Sequence, residues 1–419
     1  MSTVHGLEGA ESFDVLIVGS GQAGVQAALS LRDGGFVGSI GMVSNEEDEP
    51  YQRPPLSKAY LKGEAEVDEF RFRSTEYWAT HAIEILPAVS VESIDVAGHR
   101  VLTTNGRWIG YGRVIWAAGG RARILNLPGA DLPGVFSLRN HEDAQRLRAH
   151  METARNAVII GGGYIGLEAA AALSARNIGV TIIEVQDRLL ARVTCAPVSD
   201  FYARLHRDAG ASILLSSGVD EILGDDAGKV TGVRLNTGEV LPADLVIVGV
   251  GLIPNVEPLM AAGIVCSNGV EIDEGCLTSA PDVYAIGDCA NFDNPFAAAG
   301  RVRLESVPNA VEHGKIVAAA ILETTRPATA PPWFWSHQFD VRLQTVGLLT
   351  GHDEYVIRGN PEASRFSVVY LRDGRVIALD CVNSIKDFAQ GKLLVERGSV
   401  VDRADLADPT VDLKELVAL

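Results

Sequence analysis

One pattern occurs twice in this chain and limits what it can become. In Asp14-Val-Leu-Ile-Val-Gly-Ser-Gly-Gln-Ala-Gly24 an apolar strand, Val15 to Val18, runs straight into glycines at G-x-G-x-x-G spacing, and Val25 to Leu31 beyond them is helix-competent. Ala157-Val-Ile-Ile-Gly-Gly-Gly-Tyr-Ile-Gly-Leu-Glu168 repeats the order. In such a strand–turn–helix the first glycine permits the tight turn. The second lets backbone N–H groups approach a pyrophosphate, and the third lets the helix close on the strand. The helix N-terminus adds a partial positive charge. The fingerprint residues are Gly19, Gly21, Ala23 and Gly24 in the first copy and Gly161, Gly163, Ile165 and Gly166 in the second. One copy alone would fit a tight turn in any α/β domain; two copies far apart imply two dinucleotides, and an α/β chain with two Rossmann-like domains.

The chain has 419 residues, enough for two or three domains with separate cores. Its 47% hydrophobic and 21% charged residues are ordinary for a globular protein. A net charge of −18 leaves no basic excess to pair with phosphates, which argues against general nucleic-acid binding. Cys195, Cys266, Cys276, Cys289 and Cys381 form no C-x-x-C pair and no His/Cys cluster at zinc spacing, so no metal is expected. Scattered thiols suit a reducing compartment. Met1 to Ser12 lacks a basic n-region and no apolar run has the length of a membrane span, so the expected location is the cytoplasm.

Ser39 to Asn45 reads as the second parallel strand of the first domain. An acceptor for an adenosine ribose is expected about 20 residues past the last glycine. That leaves Asn45 and Glu46 open, with the carboxylate the chemically better choice. In Pro50-Tyr-Gln-Arg-Pro-Pro-Leu-Ser-Lys58 the double proline ends any regular structure and a helix starts from Leu56. Arg53 and Lys58 bracket it, either as cations near a pyrophosphate or an isoalloxazine ring, or as solvated loop charges. Short strands are expected from Glu84 to Val101 and from Arg107 to Trp116, then small residues to Gly120 and a linker from Arg121 to Gly134.

In the second domain Val180-Thr-Ile-Ile-Glu184 ends in an acid about 20 residues beyond the glycines. A carboxylate there accepts from a ribose 2′-hydroxyl and repels a 2′-phosphate. Arg188 and Arg192 come only later, with Arg192 kept as a nucleotide contact, so NADH is expected over NADPH. Strands follow at 212–215, 230–235 and 245–251, with a turn at Thr237-Gly238. Gly249 and Gly251 mark a return to the first domain. Asp282 to Asp288 is a strand ending in Gly-Asp; Asp288 either holds a ribityl hydroxyl at the strand's carboxyl end or serves as a helix cap or Asx turn. Ser306 to Leu322 is a helix whose first turn can aim N–H groups at a flavin carbonyl. A linker, Thr324 to Pro332, precedes Trp333-Phe-Trp-Ser-His337. Then come a hairpin turning on Asp373-Gly374 and two closing helices, Asp387 to Arg397 and Asp412 to Leu419.

Seven stretches together carry a family resemblance over essentially the whole chain: Gly19-Ser-Gly-Gln-Ala-Gly24, Arg53-Pro-Pro-Leu-Ser-Lys58, Gly161-Gly-Gly-Tyr-Ile-Gly-Leu-Glu168, Gly251-Leu-Ile-Pro-Asn255, Ala285-Ile-Gly-Asp288, Glu305-Ser-Val-Pro-Asn309 and Trp333-Phe-Trp-Ser336. The chain resembles FAD-dependent ferredoxin reductases of the putidaredoxin reductase and biphenyl dioxygenase reductase type. Pro-Pro-Leu-Ser-Lys and Trp-Phe-Trp-Ser are the specific marks; the glycine motifs alone fit any two-dinucleotide disulfide reductase. The resemblance implies a glutathione-reductase-like fold. Its FAD domain would comprise residues 1–118 and 251–329, with an NAD domain at 119–250 and a C-terminal α+β domain at 330–419. It also implies that Lys58 lies near flavin N5 and pairs with Glu168. Arg53, Val91, Arg139, Asp288 and Val307 would contact FAD, Trp335 would line the flavin's solvent side, and Glu184 and Glu305, with Gly251, would lie on the nicotinamide nucleotide path. Three residues depart from the family pattern: Asn45 where some relatives have an acid, Ala118 in place of the usual threonine of Ala-Thr-Gly, and His337 in place of an aspartate.

Related disulfide reductases carry C-x-x-x-x-C where this chain reads Arg53 to Lys58, with no cysteine. Electrons therefore cannot leave through a dithiol there. The expected activity is NADH to FAD to a two-iron two-sulfur ferredoxin that serves a monooxygenase or dioxygenase. An acidic ferredoxin docking on an acidic chain needs a local basic patch, for which the resemblance suggests Lys315, Lys392 and Lys414. Two other functions stay open. One is a flavoprotein with another acceptor (rubredoxin, oxygen or a quinone). The other is a redox-responsive NAD/FAD-binding protein like apoptosis-inducing factor.

Overall fold

Strand Ser12–Val18 is buried along its last four residues and ends at the first glycine turn, from which helix Gln22–Asp33 leads away. The chain returns as strand Ile40–Val43, parallel to the first, with Val18 opposite Val43. The structure is a computed structural model that describes residues 11–298, 300–325 and 329–417. The expected N-terminal segment before Glu11, part of the Thr324–Pro332 linker and the last two residues of the expected closing helix lie outside the described residues.

Residues fall into two units. The first gathers the stretches up to Gln52, Phe70–Gly120 and Pro254–Thr329. Its main sheet runs Ile83–Leu86, Ile40–Val43, Ser12–Val18, Trp108–Trp116, Arg100–Thr103, Val91–Asp95. The nine-residue strand Trp108–Trp116 is shared along its free edge. Its first half pairs antiparallel with Arg100–Thr103 and its last three residues pair parallel with Val283–Ala285. That pairing fastens the late segment to the early one. Helix Val307–Ile321 packs on helix Gln22–Asp33, where a Cβ on Gly314 would meet Gln26 at 2.7 Å, and both bury an alanine-rich face.

The second unit gathers Arg53–Glu69, Arg121–Ile253 and Ala330 onward. Its parallel sheet runs Ser212–Leu214, Gly179–Ile183, Asn156–Ile160, Leu245–Val248, Val135–Phe136, with helix Tyr164–Ala175 after the second glycine turn. The antiparallel strands Val219–Gly224, Val230–Leu235 and Val240–Pro242 form a small separate sheet. A five-stranded antiparallel sheet follows, ordered Trp333–Gln338, Val341–Gly347, Arg375–Val382, Arg365–Arg372, Glu354–Asn360. Helix Ile385–Arg397 lies so close to it that a Cβ on Gly391 would fall 2.4 Å from Leu379. The expected Asp373-Gly374 turn is present, both residues having positive φ (51° and 74°), as the right-handed strand twist of a two-residue hairpin favours.

Two local expectations change. The helix expected from Leu56 is a 3₁₀ turn, Pro54–Ser57, and a short helix, Ala59–Lys62. They are separated by Lys58 at φ −125°, ψ −105°. Two prolines tighten the first turn, and Lys58 leaves the helical region where its side chain turns inward. The helix expected from Asp412 is only a 3₁₀ turn at Leu413–Leu416.

Candidate active site

The two glycine turns are near copies. A Cβ on Gly24 would sit 2.0 Å from the Gly19 carbonyl oxygen, and one on Gly166 would sit 2.4 Å from that of Gly161. Gly19 and Gly161 adopt φ 113° and 107° and press on the carbonyls of Ala117 and Gly249. Those glycines are required by the fold itself. Gly21 and Gly163 are not. Their φ values of −77° and −84° suit any residue, and a Cβ on either would meet nothing within 4 Å. Each stands at the N-terminus of a twelve-residue helix that no side chain caps. Open space beside uncapped N–H groups at a helix N-terminus fits a dinucleotide pyrophosphate at both turns.

The strand ends beside the two turns differ. Glu184 follows strand Gly179–Ile183 and accepts the Gly162 N–H at 2.7 Å and the Gln186 N–H at 2.9 Å. In the first copy Val43 takes the place of Ile183, each strand accepting the N–H of the first glycine, so Ser44 holds the position of Glu184. Ser44 Oγ accepts from the Ser20 hydroxyl at 2.8 Å. The strand ends two residues before its expected end, leaving Asn45 exposed, while half-buried Glu46 accepts the Tyr51 hydroxyl at 2.5 Å. Ser44 was missed because an uncharged side chain gives no signal; aligning the two strand ends would have found it.

A buried polar cluster in the second unit is centred on Glu168, in helix Tyr164–Ala175. Its side chain is 2% exposed, against 20% for Lys58, and Lys58 Nζ donates to its Oε2 at 2.6 Å. Ser57 donates to the same oxygen at 2.6 Å and Ser336 to Oε1 at 2.7 Å. Three donors replace the water that a buried carboxylate loses. The expected Lys58–Glu168 pair is therefore formed, while Ser57 and Ser336 had gone unassigned within the motifs that contain them. Arg53 donates to the Arg139 carbonyl at 2.7 Å, which brings those two residues together. Trp335 lies half-buried between Trp333 and Phe334, with ring centroids 5.5 and 6.3 Å away. His337 points to the other face of that strand, opposite Arg342; desolvation, then the Arg342 and Lys58 charges, lowers its pKa. Ile165 and Arg192 are exposed, and Arg188 clasps the Arg192 loop through the Ala191 and Thr194 carbonyls. Gly251 has φ 111° and open space around it.

In the first unit Asp288 lies within the 3₁₀ turn Gly287–Cys289, half-buried. Arg303 donates both to the Asp288 carbonyl at 2.9 Å and to exposed Glu305 at 2.7 Å. His313 Nδ1 accepts the Gly287 N–H at 3.2 Å, so a buried imidazole sets the turn that presents Asp288. Gly287 packs on Ala23, where a Cβ would fall 2.9 Å from that side chain. Half-buried Val307 opens helix Val307–Ile321. The Asn309 N–H goes to Ser306 and Pro308 has none, so an outward bond from that first turn falls to Val307. Val91 opens strand Val91–Asp95, half-buried. Asn255 ties the return crossing, accepting from Trp116 Nε1 at 2.7 Å and donating to the Ala118 carbonyl at 3.0 Å.

Among the described residues all five cysteines are free, and no cluster of His, Cys, Asp and Glu could hold a metal ion. No helix among them is long and apolar enough to cross a membrane.

Residues 13–314 match the pyridine nucleotide-disulphide oxidoreductase family model, and residues 333–417 match the reductase C-terminal model. The ferredoxin reductase subunit of 5,5'-dehydrodivanillate O-demethylase from a Sphingobium species is 49% identical over 406 residues, covering 97% of this chain and 98% of that protein. A ferredoxin–NAD(P)(+) reductase from a Sphingomonas species is 46% identical with the same coverage. Among solved structures, the reductase in the covalent putidaredoxin reductase–putidaredoxin complex superposes with a TM-score of 0.93 at 40% identity, covering 97% of this chain and 98% of that one. With two uncapped glycine turns and a Lys58–Glu168 ion pair in a segment without cysteine, this chain belongs to the pyridine nucleotide-disulphide oxidoreductase family, among the FAD-dependent ferredoxin reductases of the putidaredoxin reductase type.

Proposed function

We propose that this oxidoreductase takes a hydride from NADH onto FAD and hands the electrons singly to a two-iron two-sulfur ferredoxin that serves an oxygenase. The relatives support the acceptor class: the Sphingobium and Sphingomonas proteins are ferredoxin reductases, and putidaredoxin reductase was solved joined to putidaredoxin. The observation that carries the reading is the Lys58–Glu168 pair in a segment without cysteine. Bound FAD supplies the conversion of a two-electron donor into single electrons, chemistry that no side chain here offers. Residues 1–118 and 251–329 would form the FAD domain, 119–250 the NAD domain and 330–419 the C-terminal domain.

In this reading Gly19, Gly21, Ala23 and Gly24 cradle the FAD pyrophosphate, with Ser44, Asn45 or Glu46 toward its ribose. Arg53, Val91, Arg139, Asp288, Val307 and Trp335 complete the FAD contacts. Gly161, Gly163, Ile165, Gly166, Glu184, Arg192, Gly251 and Glu305 serve NADH. The fixed Glu184 carboxylate favours a free 2′-hydroxyl, hence NADH over NADPH. Lys58 Nζ would place a positive charge beside the bound flavin, favouring its reduction, and Glu168 keeps that ammonium in place. Exposed Lys414 and half-buried Lys392, carried on segments that the Lys414 N–H to Gln390 bond joins, would meet acidic ferredoxin; exposed Lys315, in the first unit, is the third candidate.

The test is NADH-driven cytochrome c reduction with and without a two-iron ferredoxin. Strong dependence on the ferredoxin is expected; equal rates without it, or with rubredoxin or oxygen alone, would move the acceptor elsewhere. Lys58→Ala should slow flavin reduction in stopped flow, and an unchanged rate removes Lys58 from the mechanism. Charge reversal at Lys315, Lys392 and Lys414 should raise the ferredoxin KM and flatten its salt dependence; no change places docking elsewhere.

A further inference from the structure

The Glu168 cluster extends beyond the pair. Behind Ser336 lies Gln338, two residues along the same strand and on the same buried face. Gln338 Nε2 donates to Ser336 Oγ at 3.3 Å, and Gln338 Oε1 lies 2.9 Å from His206 Nε2, in helix Ala196–Asp208. Ser336, Gln338, His206 and Glu168 are all buried.

Only one assignment of protons satisfies this row. Ser336 has a single proton, and the Glu168 carboxylate takes it. Gln338 must then give Ser336 an N–H, so its oxygen faces His206. That oxygen only accepts, which places the imidazole proton on Nε2 and leaves buried Nδ1 without a partner. Desolvation lowers the His206 pKa, in keeping with a neutral ring. Every bond from His206 onward therefore donates toward Glu168. The row is no proton wire: an amide interrupts it, and its far end is a buried nitrogen. What it does is orient. Ser57 and Lys58 hold Glu168 Oε2 from one side, and the C-terminal sheet holds Oε1 from the other.

We propose that Ser336 and Gln338 are positioning residues for hydride transfer, fixing the Glu168 carboxylate and through it the Lys58 ammonium. This rests on the reading of Lys58 as the cation that serves the flavin. Without Ser336, Glu168 Oε1 loses its donor, the carboxylate is held at Oε2 alone, and the partner of Lys58 is fixed less tightly.

The experiment compares Ser336→Ala, Ser336→Thr and Lys58→Ala holoenzymes, reading the limiting rate of flavin reduction, the NADH concentration for half that rate, and the FAD midpoint potential by spectroelectrochemistry. Loss of a hydrogen bond to a charged group corresponds to a limiting rate about tenfold lower in Ser336→Ala. The NADH dependence should be unchanged, and the potential should move negative in the same sense as in Lys58→Ala. Ser336→Thr should restore both. A wild-type rate and potential in Ser336→Ala, with Lys58→Ala slowed, overturns the inference and leaves the reading of Lys58 standing; no effect in Lys58→Ala removes both. Should Ser336→Ala fail to hold FAD, Gln338→Leu carries the test, with the same negative shift expected and an unshifted potential overturning the proposal.

Discussion

Glu184 Oε2 accepts the amide N–H of Gly162 at 2.7 Å, inside the second glycine turn. The carboxylate is thereby fixed beside the glycine turn, and in the proposed NADH site its remaining lone pairs would accept from ribose hydroxyls and disfavour a 2′-phosphate. Glu184→Ala should raise the KM for NADH about tenfold, the weight of a charge-assisted hydrogen bond, while the KM for NADPH changes little or falls. Flavin reduction at saturating NADH should stay near wild type. Steady-state kinetics with both nucleotides measures this, and an unchanged NADH/NADPH preference would dismiss Glu184 as the discriminator.

Gly21 and Gly163 separate binding from folding. Alanine fits both backbones and meets no atom, so neither variant should unfold the protein; a gain of about 0.4–1 kcal/mol from a stiffer unfolded chain is the expectation. In the proposed reading the new methyl group would occupy space that a pyrophosphate needs. Gly21→Ala should therefore purify with depleted FAD, and Gly163→Ala with full FAD and a raised NADH KM. Gly24→Ala and Gly166→Ala should instead lower yield and melting temperature, because their methyl groups meet carbonyl oxygens at 2.0 and 2.4 Å. Absorbance at the flavin band and thermal melts distinguish the two pairs.

Both βαβ units were legible because glycine spacing and apolar runs are local signals, as were the Asp373-Gly374 hairpin and helix Val307–Ile321. Strand Glu354–Asn360 was not. It carries Gly359, charged residues and the buried Arg358, and only its pairing with Arg365–Arg372 makes it a strand. Ser44, Ser57, Ser336 and His313 escaped for a related reason. A serine or histidine gains its role from a partner distant in sequence, such as Glu168 for Ser336, and no spacing rule reports that distance. The Lys58–Glu168 pair was reached through the family resemblance, since 110 residues separate its members.

Arg358 fastens the C-terminal segment to the sheet. Its guanidinium donates to Asp387 at 3.1 Å and to the carbonyls of Leu406, Asp408 and Val411, and it is almost fully buried. Truncation leaves half-buried Asp387 with the Ser367 hydroxyl for a donor and takes the charged donor from three carbonyls, so Arg358→Ala should cost about 3–5 kcal/mol locally. Hydrogen exchange across residues 403–416 should accelerate by orders of magnitude while FAD content holds. If Lys414 docks ferredoxin, the ferredoxin KM should rise in the same variant. Unchanged exchange in that segment would show that the clamp is dispensable.

Acid should act on the two units with opposite signs. In the first, burial pushes the His313 imidazole down to about 4, and the neutral ring accepts the Gly287 N–H. The unfolded chain then binds the proton more readily, so this contribution is complete above the ordinary histidine pKa and is lost as pH falls from about 6.5 toward 4. In the second, burial pushes the Asp380 carboxyl up to about 6, outweighing hydrogen bonds from Thr194 and Tyr370. Here the folded state binds the proton more readily, so the contribution is present at low pH and is lost as pH rises from about 4 through 6. Each shift corresponds to about 3 kcal/mol. His313→Gln keeps an acceptor for Gly287 and removes the titration, so its release of FAD on acidification should be flatter than wild type. Asp380→Asn should match wild type near pH 4 and exceed it above pH 6 in the urea concentration that opens the C-terminal sheet, followed by hydrogen exchange of residues 365–382. A difference that instead grows on acidification would mean that Asp380 is ionised throughout, held by its two hydroxyl donors.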